Sequence, residues 1–127
     1  MTTKRQPDHV YPAPEIEAHL AAHLPGWSLD AGTIRRTYRT HGWKGTLMAV
    51  NAIGHLAEAA WHHPDLAVSY SAVEVRLSTH DAGGITGKDF ELAAKIEEVV
   101  LWRPGKLGGA LQGTPSDKRH AYIDYED

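Results

Sequence analysis

Two adjacent histidines followed by proline, His62-His63-Pro64, are the residues of this chain best suited to chemistry. Glu58 precedes them by one helical turn, and a third histidine, His80, and an aspartate, Asp89, follow. Imidazole has the side-chain pKa nearest neutrality, so it gives or takes a proton at little cost. Three imidazoles with carboxylates close by in sequence point to proton transfer on a small molecule. Other chemistries fit less well. With no cysteine there is no thiolate nucleophile, disulfide or cysteine-type zinc site. Adjacent histidines seldom aim both rings at one ion, and His55 lies two helical turns from His62, about 10 Å away, so the reading is of no metal. No nucleophile elbow or phosphate-binding loop is present.

Each residue also has a plainer reading. Glu58 and His62, four apart, would be neighbours on a helix and could form only a surface ion pair. His63 could sense a helix C-terminus, and His80 could be a polar strand-end residue. Asp89, three residues after Thr86, could be a helix cap.

The elements that must position these residues follow from periodicity. A helix is expected from Pro14, with Ile16, Leu20 and Leu24 on one side and Pro25-Gly26 as its stop. Residues 27–29 and 33–40 read as strands joined through Asp30-Ala31-Gly32 in an antiparallel hairpin, with Ile34 and Tyr38 inward. Residues 44–61 read as a helix whose buried stripe is Leu47, Val50, Ile53, Leu56, Ala57 and Ala60, ended by Pro64. Leu66, Val68 and Tyr70 are apolar at even positions, and Val73, Val75 and Leu77 at odd ones. That change of parity predicts a bulge or break near Ser71-Ala72, after which Glu74, Arg76, Ser78 and His80 share the polar face. A last helix is expected over 86–101, capped by Thr86 with Asp89, with Phe90, Ala93, Ile96 and Val100 as its stripe. These elements predict an α+β two-layer sandwich, a four-stranded antiparallel sheet with three helices on one face.

At 127 residues the chain is expected to hold one domain over 14–102. Residues 1–13 read as a flexible N-terminal arm interrupted by prolines, and 103–127 as a C-terminal extension, either adding a short strand or lying over a neighbouring subunit. Apolar residues make up 42% and the net charge is −3, which gives no electrostatic reason to bind nucleic acid. Arg35, Arg36 and Arg39 read as a solvated strand face. No apolar run approaches the roughly 18 residues of a membrane span, and the start lacks a signal-peptide core, so a cytoplasmic location is expected.

Read together, Glu58-x3-His62-His63-Pro64-x5-Tyr70-x9-His80-x8-Asp89 resembles the signature of the pterin-4a-carbinolamine dehydratase family. Leu24-Pro25-Gly26-Trp27, Ile34-Arg35-Arg36-Thr37-Tyr38 and Leu77-Ser78-Thr79-His80-Asp81 agree with it, and the likeness covers about residues 15–101. The resemblance implies an α+β domain, a homodimer or homotetramer, that dehydrates 4a-hydroxytetrahydropterin to quinonoid dihydropterin without metal or added cofactor. The pterin is then the substrate, and an aromatic amino acid hydroxylase the functional partner. It maps His62, His63 and His80 onto catalytic positions and Glu58 and Asp89 onto acidic ones that tune them, with Pro64 and Tyr70 in the same pattern. Two positions depart from it. Leu66 stands where many relatives carry an aromatic residue, and Trp61 stands where a small polar residue is common and offers aromatic surface instead. Some relatives act as dimerisation or assembly factors, so a non-catalytic role on the same scaffold is the alternative reading.

Overall fold

The computed structural model of the protein describes residues 8–117 and 119–125. In chain order the elements are α1 (Ala13–His23), β1 (Ser28–Asp30), β2 (Thr33–Arg39), α2 (Trp43–Ala60), β3 (Asp65–Ser69), β4 (Ala72–Leu77) and α3 (Gly87–Val100). The four strands form one antiparallel sheet in the order β1-β2-β4-β3. The α+β architecture expected from the sequence is therefore present.

Strict alternation makes one face of this sheet. Val73, Val75 and Leu77 on β4 are fully buried, as are Ile34 and Tyr38 on β2. Against them pack Ile16 and Leu20 of α1, Ala49 and Ile53 of α2, and Phe90, Ala93 and Ile96 of α3. The β1–β2 connection is a two-residue turn with positive φ at both Ala31 (50°) and Gly32 (77°), the geometry that matches strand twist. The parity change at Ser71-Ala72 is a second hairpin. Ser69 pairs with Ala72 across the turn, so β3 and β4 are separate strands whose side chains restart in the opposite phase.

Two expectations change. The buried stripe of α2 is Thr46, Ala49, Ile53 and Ala57, while Leu47 is 41% exposed and Ala60 is exposed too. Small residues occupy the contact because neighbouring backbone comes close there: a Cβ on Gly45 would stand 2.7 Å from the carbonyl oxygen of Tyr122. Arg36 is not on the solvated face. It alternates with Ile34 and Tyr38 toward the helices, where its Nε donates to Glu97 of α3 at 2.9 Å. Arg35 stays on the outer face, in an ion network with Glu74, Arg76 and Asp30.

Glu97 Oε1 also accepts from Tyr38 Oη (2.6 Å) and Trp27 Nε1 (3.1 Å). Burial, then the bond to Glu97, pushes the Tyr38 hydroxyl pKa well above its usual value. Glu97→Ala removes the acceptor of two buried donors, so the urea midpoint should fall by the equivalent of about 2–4 kcal/mol. An unchanged midpoint would contradict that role.

The extension after α3 folds back on its own domain. Ile123 is buried and bridges Thr40, His41 N–H donates to Tyr122 O, and Asp124 N–H donates to Arg39 O. Of the expected N-terminal arm, residues 1–7 lie outside the described residues. Tyr11 is tied to Ile85 by its N–H (2.9 Å) and packs against the core.

Candidate active site

The site begins where α2 stops. The helix ends at Ala60, four residues before Pro64, because Trp61 adopts the left-handed conformation (φ 52°, ψ 47°). Trp61 N–H donates to Glu58 O and His62 N–H to Ala57 O, the paired bonds of a Schellman turn. Glycine is usual at this position, and a tryptophan there costs about 1–2 kcal/mol. The reversal sends the two histidines in different directions.

His62 turns inward. Its side chain is 13% exposed, and Nε2 lies 2.7 Å from Asp89 Oδ1. His63 turns outward, half exposed, with Nε2 2.7 Å from Glu58 Oε1 and its ring edge-on to the Trp61 indole. The expected Glu58–His62 pair is thus replaced by Glu58–His63 and His62–Asp89. The four-residue spacing holds only within a continuous helix, and His62 lies beyond its end.

Asp89 is both a cap and a partner for histidine. Thr86 caps α3, and Asp89 Oδ2 accepts from Thr86 N–H (2.9 Å) and Thr79 Oγ1 (2.8 Å). The two threonine hydroxyls are themselves 2.8 Å apart. Those bonds fix the carboxylate, which is fully buried, and leave Oδ1 aimed at His62. The positive end of the α3 dipole favours its charge. A neutral His62 that donates from Nε2 to Asp89 keeps a lone pair on Nδ1 for other work.

His80 is not a strand residue. β4 ends at Leu77, Thr79 bridges Gly84, and His80 opens a single 3-10 turn, exposed to solvent. The turn brings it to the same cleft as the histidine pair. That cleft, about 1230 Å³, is lined by Trp61, His62, His63 and His80, together with Ser78, Thr79, Lys88, Glu91 and Leu92.

Of the eight residues singled out from the sequence, these four line the cleft directly. Asp89 sits beneath His62 and Glu58 beside His63. Pro64, half-buried, leads from the turn into β3. Tyr70 lies elsewhere: it is 70% exposed at the β3–β4 turn, its hydroxyl against Gly42, on the order of 20 Å of strand from Pro64. Leu66 is partly buried against the core. Sequence reasoning missed Thr79, whose hydroxyl donates to Asp89 Oδ2, whereas the capping box signalled the Thr86 N–H that donates to the same oxygen. Among the described residues, no three or more His, Asp or Glu side chains form a group that could hold a metal ion, and no helix is long and apolar enough to cross a membrane.

Residues 9–99 match the family described as pterin 4 alpha carbinolamine dehydratase. A protein of Aquifex aeolicus, provisionally named pterin-4-alpha-carbinolamine dehydratase, is 51% identical over 78 residues, 61% of this chain and 79% of its own. A relative from Roseiflexus castenholzii with the same provisional name is 45% identical over 86 residues, 68% of this chain and 91% of its own. Among solved structures, that of a transcriptional coactivator/pterin dehydratase from Brucella melitensis superposes with a TM-score of 0.66. It is 26% identical, over 72% of this chain and 99% of that one. With a family match over most of its length and relatives at this identity, the chain belongs to the pterin 4 alpha carbinolamine dehydratase family.

Proposed function

We propose that this protein dehydrates a 4a-hydroxytetrahydropterin to the quinonoid dihydropterin, by general acid and base catalysis from histidine, without an added cofactor. The reading rests chiefly on one observation: the adjacent His62 and His63 and the sequence-distant His80 line a single cleft. The cleft is ample for a flat bicyclic heterocycle, and the Trp61 indole offers it an aromatic surface.

The reaction breaks the bond from C4a to its hydroxyl oxygen. A proton goes to that hydroxyl, which leaves as water, while the N5 lone pair forms the new double bond to C4a and N5 loses its proton. His63, at the open side of the cleft and oriented by Glu58, is the group at the 4a hydroxyl. His80 carries the complementary transfer. His62, gripped by Asp89, presents a fixed hydrogen-bonding edge that orients the ring. One positioned acid or base contributes about 10² to 10⁴ in rate. In this role the enzyme returns the pterin used by an aromatic amino acid hydroxylase.

The test is to add the purified protein to a phenylalanine hydroxylase reaction and follow the 4a-hydroxy intermediate by ultraviolet absorbance. Its decay should accelerate well above the spontaneous rate. No acceleration at micromolar protein would discard the reading. The similarity to the Brucella protein, named a coactivator as well as a dehydratase, favours a second reading, binding to a partner protein without catalysis. A folded protein that leaves the intermediate's decay unchanged would favour that one.

A further inference from the structure

The candidate cleft has a wall that neither the histidine pattern nor the carboxylates account for. Asp8, His9 and Tyr11, from the start of the chain, line it beside the histidines. This short strap is fastened at four places. Asp8 Oδ2 pairs with Lys88 Nζ at 3.0 Å, and Tyr11 N–H donates to Ile85 O at 2.9 Å. The Tyr11 ring packs on Phe90 with centroids 5.2 Å apart. Val10 lies over Gly84, so close that a Cβ there would stand 2.7 Å from its Cγ1. The seat is the same stretch, 84–90, that caps α3 and holds Asp89 against His62. His9 is set edge-on to Tyr11, centroids 4.6 Å apart and planes at 89°, which holds a fourth imidazole at the cleft.

We infer that residues 8–11 form a substrate-binding wall and that His9 is a further residue contacting the bound pterin. The inference rests on the dehydratase reading of the cleft. An imidazole offers a flat face and ring nitrogens that donate or accept, which suits a planar heterocycle edged with donors and acceptors. His9 contributes to binding the substrate and its transition state alike, while His63 and His80 carry the proton chemistry and His62 orients the ring.

The experiment measures steady-state kinetics on the 4a-hydroxytetrahydropterin and calorimetric binding of non-reacting 7,8-dihydrobiopterin. For the full-length His9→Ala protein, KM and the calorimetric Kd should both rise about 3- to 10-fold, the loss of one hydrogen bond or ring contact, with kcat within about two-fold of the parent. Gly84→Ala, whose added Cβ meets Val10 Cγ1 and so displaces the strap, should raise KM similarly. The double variant should then be no worse than His9→Ala alone, because both act through one element. An unchanged KM and Kd in His9→Ala, or full additivity in the double variant, overturns the inference. A fall in kcat with constant KM also overturns it. A parent that neither binds the dihydropterin nor accelerates dehydration refutes the dehydratase reading itself, whereas a parent that does both beside an unaltered His9→Ala refutes only the wall.

Discussion

Asp89→Asn should lower the dehydration kcat by about 10²- to 10³-fold while leaving the fold almost as stable as the parent. The expectation follows from how the two carboxylate oxygens are used. Oδ2 takes the Thr86 N–H and the Thr79 hydroxyl, and an asparagine carbonyl can accept both. The amide NH₂ must then face His62 Nε2, where the carboxylate oxygen stood 2.7 Å away. Two donors cannot share that contact, so the ring accepts at Nε2 and moves its proton to Nδ1, reversing the edge it presents to the cleft. The cap survives and the chemistry does not. Asp89→Ala, by contrast, leaves the Thr86 N–H buried without its acceptor and removes the capping box, at about 2–4 kcal/mol of stability. Thermal unfolding beside the ultraviolet assay separates the two variants. An asparagine variant as fast as the parent would reduce Asp89 to a helix cap.

His63→Ala should cost the second large loss, about 10²- to 10⁴-fold in kcat/KM, with little change in stability. His63 is half exposed and its hydrogen-bonding side-chain partner, Glu58, is 70% exposed, so the pair contributes little to folding. For the same reason Glu58→Gln should change the rate only by a few-fold, since solvent already screens that contact. His55→Ala, on the exposed side of α2 and outside the cleft, serves as the control and should be as active as the parent. If His63→Ala turns over at the parent rate, His63 is not the group at the 4a hydroxyl.

Local rules carried the sequence reading furthest where a residue's neighbours in sequence are also its neighbours in space. The capping box at Thr86 and Asp89, the stripe from Phe90 to Val100 and the hairpin after Asp30 depend on contacts within a few residues, and all are present. The partners of the histidines were not legible in that way. Extending α2 to Pro64 puts His62 beside Glu58, but a left-handed Trp61 ends the helix earlier, and no propensity favours tryptophan in that conformation. Once the helix reverses, the choice of partner is tertiary: His62 meets Asp89 from α3, and Glu58 is left to His63.

The stripe on α2 was misplaced for a related reason. Periodicity favours the largest apolar residues, whereas the contact with the returning C-terminal segment admits only a residue as small as Gly45. Tyr70 sat within the sequence pattern yet stands at the far end of β3, in the turn that breaks the run into two strands. His9 carried no sequence signal at all. Its place depends on Tyr11, whose anchoring to Ile85 and Phe90 is a long-range contact.

The most direct measurement is a titration of histidine-labelled protein with non-reacting 7,8-dihydrobiopterin, following the imidazole ¹⁵N resonances. His62, His63 and His80 should shift together with one dissociation constant, while His19, His23, His55 and His120, which lie outside the cleft, stay in place. Saturable binding that leaves those three rings unmoved, or shifts that fall instead on the histidines outside the cleft, would contradict the claim that one pterin is handled by three converging histidines.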